Sequence, residues 1–289
     1  MSEGFILCIA KNGLTDFFSQ IWLCTLYAKS IDRSIILMKT HYEGTSLFDL
    51  FDFSTYPVPI YELSKISAVI HTDVIPSECK QLLVYEGESI VSVKAGPNFP
   101  IDKTKTYEAG VLIVHCDSGI MIDRVTPTVE FLKNIRFTPK FIDFLSHGLS
   151  KLPGKYNSIQ IRHTDYRTNI IKILELLDGF INSTTEDLYV ATDNSELVNS
   201  LKEKYGDRIL YNDTVYDRKG EAILQTQSDR GILENAFLDL FILARTSNDI
   251  MYFYTQSRSL AYGYTKLAAR LKSHIDLIEW LLTSVQDVI

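Results

Sequence analysis

Residues 4–38 read as an apolar strand (4–10), a break at Asn12-Gly13, a helix (14–30) and a second strand (34–38). In the helix Phe17, Phe18, Ile21, Trp22, Leu26 and Tyr27 recur at helical spacing. A strand, a helical crossover and a strand make a β-α-β unit, and such a unit builds a parallel sheet. The expected fold class is therefore α/β.

The alternation continues along the chain. Strand-like segments recur at 81–85 and 111–115, separated by a polar, proline-bearing excursion over 86–110. Residues 127–134 and 139–150 read as helices. The breaker cluster Leu152-Pro153-Gly154-Lys155 follows, and the domain boundary is expected there, giving domains 1–150 and 151–289. The second half begins with a strand at 158–162 and another at 188–191. A helix over 195–205 has Ser195 as its expected N-cap and Gly206 as its C-cap. A short strand at 208–211, an apolar helix at 231–244, a strand at 250–254 and helices at 261–272 and 275–285 complete it. A chain of 289 residues accommodates two such domains, and 46% hydrophobic residues supply their cores.

Charge and cysteines narrow the function classes. A net charge of −7 argues against nucleic acid, whose phosphates require a basic surface. Cys8, Cys24, Cys79 and Cys116 form no C-x-x-C pair, so buried reduced thiols are expected and a structural zinc site is not. No basic region precedes the first strand, and no apolar run approaches the ~20 residues that span a bilayer. The expected location is cytoplasmic, with at most peripheral contact at the inner face of a membrane.

Residues with chemistry to offer cluster in the second half. Ile159-Gln160-Ile161-Arg162-His163-Thr164-Asp165-Tyr166 starts as a buried strand and presents Arg, His, Asp and Tyr where the strand ends. Open α/β sheets bind ligands at the carboxyl ends of their strands. An Arg there offers a planar charged fork suited to a diphosphate, although an Arg closing a salt bridge reads the same way. Asp193 follows the strand Leu188-Tyr189-Val190-Ala191. Asp239 is a lone carboxylate among Phe237, Leu238, Leu240, Phe241 and Ile242. Burial makes it need a partner, which a ribose, a base edge or a backbone N–H would equally provide. Ser257-Arg258-Ser259 lies between a strand and a helix, either as an anion cradle at a helix N-terminus or as a plain cap.

In this order, R-x-T-D after a strand, A-T-D after a strand, an Asp-bearing apolar helix and S-x-S before a helix, the chain resembles the fucosyltransferase-like superfamily. That superfamily includes the nodulation α1,6-, core α1,6- and protein O-fucosyltransferases. Asn12-Gly13-Leu14 with its aromatic helix, followed by Asp32-Arg33-Ser34-Ile35-Ile36-Leu37, resembles the opening of that family.

The resemblance covers roughly residues 4–40 and 155–270. It implies a GT-B-like fold of two Rossmann-like domains facing a cleft. It also implies metal-independent, inverting transfer of a sugar from a nucleotide-sugar donor, without a cofactor. The acceptor would be a glycan or lipid-linked glycan, handled by the first domain, and the second would hold the donor.

Carried over by position, Arg162 binds the β-phosphate and Asp239 lies near the nucleoside. Ser257, Arg258 and Ser259 hold the phosphates, and Gly13, Gln160, His163 and Asp193 complete the donor side. Asp165, three residues past the Arg, and then Asp16, beside the glycine turn, are the general-base candidates. Two positions depart from the family. Gln160 stands where it usually has His, and His163 where a second Arg is frequent. The resemblance favours GDP-fucose as donor, and these departures leave other nucleotide sugars open. The competing readings are a non-catalytic sugar-binding module and a nucleotide-sugar-modifying Rossmann enzyme. The latter lacks its G-x-G-x-x-G, having Ala10-Lys11-Asn12-Gly13-Leu14 after the first strand.

Overall fold

The structure is a computed structural model. It describes residues 4–10, 13–37, 46–63, 73–87, 89–93, 101–102, 104–105, 107–108, 112–115, 123–162, 170–212, 231–248, 250–252 and 263–283. Two compact units divide at Thr138 and Pro139.

The first unit runs through β1 (Phe5–Cys8), α1 (Leu14–Ser30), β2 (Ser34–Leu37), α2 (Leu47–Leu50), β3 (Phe51–Asp52) and β4 (Ile60–Glu62). It continues through β5 (Val74–Ile75), β6 (Leu83–Glu86), β7 (Ser89–Val93), β8 (Leu112–His115), α3 (Val125–Lys133) and β9 (Arg136–Phe137). Its parallel sheet has the order β4-β2-β1-β8-β5. β1 and β2 read as unbroken apolar runs because helices and loops cover both faces. One face packs Leu7, Ile36 and Val114 against Leu63, Cys79, Leu83 and Ile90. α1 covers β1 and β2 and packs on α3. Between these helices Phe131 stacks on Phe18 at 4.7 Å and meets Tyr56 and Phe51 at 5.8 and 6.0 Å.

Gly4 is required by close approach. Any Cβ there would come within 2.4 Å of the Arg33 guanidinium, which is buried and donates to the carbonyls of Tyr107 and Glu108. The excursion expected over 86–110 contains β7, an antiparallel partner of β6. Among the described cysteines, Cys8, Cys24 and Cys79 are buried thiols outside any disulfide, and Cys116 lies outside the described residues.

The second unit comprises α4 (Pro139–Ser150), β10 (Tyr156–Ile161), α5 (Ile170–Ser183), β11 (Asp187–Thr192), α6 (Ser195–Tyr205) and β12 (Ile209–Leu210). It ends with α7 (Ile232–Ala244), β13 (Met251–Tyr252), α8 (Gly263–Lys272) and α9 (Ile275–Leu282). All strands are parallel, in the order β12-β11-β10-β13. Alternation along the strands divides the side chains between two faces. Ile159, Ile161, Leu188 and Val190 pack on α5 and α6 through Ile173, Leu177, Leu197 and Leu201. Tyr156, Ser158, Gln160 and Tyr189 face α7 and α8, where each bonds a helix group.

The two units divide at 138/139, ahead of the breaker cluster at 152–155, and α4 packs on α7 and α9 within the second unit. Phe141 meets Phe237 edge-on at 5.7 Å, and Gly148 lies so close to Leu238 that a Cβ would fall 2.6 Å from its methyls. The breaker cluster is a turn inside this unit. The N-cap of α6 is Asn194 rather than Ser195, its Oδ1 accepting from the Leu197 N–H at 2.8 Å. Gly206 is the C-cap at φ 62°, as the sequence suggested.

Candidate functional site

The strand order of the second unit decides where a ligand can sit. From β10 the chain winds outward through β11 to β12, then returns to place β13 on the other side of β10. The winding reverses between β10 and β13, and in such sheets the ligand crevice opens outside the carboxyl ends at that switch point.

Arg162 follows the last residue of β10 and is half-buried there. Gln160 lies two residues earlier, in register with Ala191 of β11 and Tyr252 of β13. Its side-chain carbonyl accepts a hydrogen bond from the buried Thr265 hydroxyl, which ties β10 to the first turn of α8. Asp193 follows β11, in the turn where the Thr192 hydroxyl accepts from the Asn194 N–H at 3.3 Å. His163 and Asp165, and the trio Ser257, Arg258 and Ser259, lie outside the described residues.

Asp239 sits on α7, against the same sheet face. Its partner is a hydroxyl: Tyr189 of β11 donates to Asp239 Oδ1 at 2.5 Å. Asn212, two residues past β12, donates to the same oxygen at 3.4 Å and to Asn235 Oδ1 at 2.9 Å. Asn235, one helical turn before Asp239, donates to the Gly231 carbonyl at 2.7 Å. Burial lifts the Asp239 carboxyl to about 6, against the opposing bonds from Tyr189 and Asn212. Burial, reinforced by the Asp239 charge, drives the Tyr189 phenol well above its usual range, so it stays a donor.

Tyr189, Asn212 and Asn235 were not singled out from the sequence. A tyrosine inside an apolar strand was the available sign, since a buried phenol needs a partner. The Asn235–Asp239 spacing of four, which puts both on one helix face, was the other.

In the first unit Gly13 is the N-cap of α1 and supplies no side-chain cap. Asp16, in the first turn, pairs with Arg124. Burial raises its carboxyl, and the Arg124 charge and hydrogen bond oppose that rise. Thr128 of α3 donates to the Thr15 carbonyl at 3.0 Å, so the start of α1 is fastened to α3.

A cavity of about 570 Å³ in the second unit lies at the amino end of β10, the end opposite Arg162. Its cations are engaged, Lys272 with the Thr246 carbonyl and Arg245 with Glu279. Among the described residues no three of His, Cys, Asp and Glu gather as a metal-binding set. No helix among them is long and apolar enough to cross a membrane.

No protein-family model and no curated protein matches the chain. Solved structures do. NodZ α-1,6-fucosyltransferase soaked with GDP-fucose is 13% identical, over 92% of this chain and 91% of that one, with a TM-score of 0.57. Fucosyltransferase NodZ from Bradyrhizobium is 13% identical over 93% of each chain, with a TM-score of 0.58. POFUT1 in complex with GDP-fucose is 11% identical, over 93% of this chain and 94% of that one, with a TM-score of 0.54. The chain is thus an α/β protein with the GT-B-type fold of these fucosyltransferases.

Proposed function

We propose that the chain is a metal-independent, inverting glycosyltransferase. It moves a sugar from a nucleotide-sugar donor, GDP-fucose first, to a glycan or lipid-linked glycan acceptor. The observation that carries this reading is Arg162 at the carboxyl end of β10, beside the switch point of the β12-β11-β10-β13 sheet. The likeness to structures holding GDP or GDP-fucose supports it.

The second unit takes the donor and the first the acceptor. Arg162 neutralises charge on the departing diphosphate, the main electrostatic task of such a transfer. Gln160, His163, Asp193, Asp239 and the 257–259 segment complete the donor side. The setting is assembly of a bacterial surface polysaccharide, in the cytoplasm or at the inner face of the membrane.

Thermal-shift screening against GDP, UDP, CMP and their sugars tests the donor, and GDP release from GDP-fucose in EDTA tests the chemistry. A stabilising shift with GDP and turnover that survives chelation are expected. Loss of transfer in EDTA with recovery on Mg²⁺ or Mn²⁺ would replace this mechanism by a metal-dependent one. Binding without any turnover would mark a non-catalytic module.

Asp165 is the proposed general base. Asp16 ranks second, because its carboxylate is already committed to Arg124. Asp165→Asn is expected to lower kcat far more than donor affinity, since a base acts in the transition state. An unchanged kcat would move the base elsewhere.

A further inference from the structure

The cavity of about 570 Å³ at the amino edge of the second unit's sheet combines apolar walls with two cations. Leu149 and Leu152 come from the end of α4 and the turn after it, Ala244 from α7 and Ile275 from α9. Tyr156 and Thr246 also line it, but their hydroxyls are committed to the carbonyls of Ile242 and Tyr156, at 2.8 and 3.2 Å. The unfilled polar capacity is that of Arg245, Lys272 and Glu279. Lys272 Nζ donates to the Thr246 carbonyl and to no other described group, so two of its three N–H bonds are open. Arg245, the C-cap of α7, donates through one terminal nitrogen to Glu279 Oε1, and its other guanidinium N–H groups bond no described acceptor.

Helix capping accounts for where these cations stand, because α7 and α8 both end here and carbonyl ends favour positive charge. It does not account for the space beside them. Packed interiors leave few voids larger than a water. Apolar walls and a few convergent polar groups around roughly 300–1,000 Å³ are the marks of a small-molecule site. Two cations against one carboxylate leave the cavity positive in a chain of net charge −7. The exposed Lys151 and Lys155 bracket its lining turn, and Ile275, 39% exposed, carries the apolar wall to the surface.

We propose that this cavity binds an amphipathic anion, an apolar chain or ring that ends in a phosphate or carboxylate. Arg245 and Lys272 hold the head, and Leu149, Leu152 and Ile275 enclose the apolar body. Glu279 is the internal competitor for Arg245. An incoming anion displaces a carboxylate that is 56% exposed, and exposed ion pairs are weak. The site lies at the sheet edge opposite Arg162 and does not depend on the donor reading. A free amphiphile and a lipid head group in a bilayer share this chemistry.

The test titrates the full chain by calorimetry with octyl phosphate and octanoate, against inorganic phosphate and octanol as head and tail alone. Flotation with phosphatidylcholine vesicles, with and without one third phosphatidylglycerol, forms the bilayer arm. Saturable binding of an amphiphile is expected, roughly tenfold tighter than inorganic phosphate, the effect of burying about two methylenes. Arg245→Gln and Lys272→Gln are each expected to weaken it by roughly tenfold, through loss of a charge-assisted bond. Glu279→Gln is expected to tighten it by roughly two- to fivefold, because the competing carboxylate is gone. A merely structural ion pair gives no such gain. Arg162→Ala is expected to bind the amphiphile as wild type does.

Flotation that needs phosphatidylglycerol and is lost in Lys272→Gln identifies the ligand as a membrane lipid. Amphiphile binding without flotation identifies a free one. Either outcome, with the Glu279→Gln gain in the same assay, supports the site. Absence of saturable amphiphile binding together with absence of flotation overturns it. So does binding that inorganic phosphate matches, that Glu279→Gln leaves unchanged, or that Arg162→Ala abolishes.

Discussion

Arg162→Ala is expected to weaken binding of the donor diphosphate by roughly 10- to 150-fold, the equivalent of the about 1.5–3 kcal/mol that a charge-assisted hydrogen bond contributes. The fold should survive, because Arg162 follows β10 and lies outside its hydrogen-bonded ladder. Turnover should fall at least as far as affinity, since charge on the diphosphate grows as the glycosidic bond breaks. Arg162→Lys keeps the charge but loses the planar two-pronged geometry, so it should recover part of the affinity and little of the rate. Calorimetric titration with GDP, paired with GDP release from GDP-fucose, measures both quantities. Wild-type affinity and turnover in a folded Arg162→Ala protein would remove this residue from the site and with it the reading of the switch point.

The second large effect is structural. Phe131 is fully buried, stacked on Phe18 and ringed by Phe51 and Tyr56. It joins α3 to α1, which covers β1 and β2, so its removal opens a cavity where three elements meet. Phe131→Ala is expected to cost about 3–5 kcal/mol, transfer and cavity contributions together. In a unit of this size that lowers the midpoint of its melting transition by roughly 10 °C. Differential scanning calorimetry should place the loss in one transition if the first unit melts separately. Phe131→Leu, which keeps most of the volume, should lose far less. An unshifted melt for Phe131→Ala would mean that this aromatic cluster does not hold the first unit together.

Several elements were legible because their signals are local. α1, α4 and α6 fall where spacing, breakers and turn residues put them, since 3.6-residue periodicity and an adjacent Gly or Asn need no knowledge of the rest of the chain. Arg162 was legible for a related reason, as a strand's alternation stops and polar residues begin where the strand leaves the sheet. α5 was not. Ile170, Ile173, Leu174, Leu177 and Ile181 do recur at helical spacing on its buried face, but the apolar Ile171 and Leu176, 72% and 50% exposed on the other side, blur that stripe in the sequence. β3 and β9 were also hidden, because each is two residues long and its partner is about 85 residues away.

The sequence by itself determined the class of this protein. Alternating apolar strands and helices commit it to parallel sheets, and they put a permanent cation, Arg162, at a strand's end. Only the tertiary structure decided the strand order, and therefore which strand ends form the switch point. It also assigned α4 to the second unit, through contacts such as Phe141 with Phe237 that no local breaker announces. And it gave Asp239 its partner. A lone carboxylate in an apolar helix shows that a partner is needed. That the partner is Tyr189, fifty residues earlier, with Asn212 beside it, follows from β11, β12 and α7 packing together, because hydrogen-bond geometry is fixed by proximity in space and not along the chain.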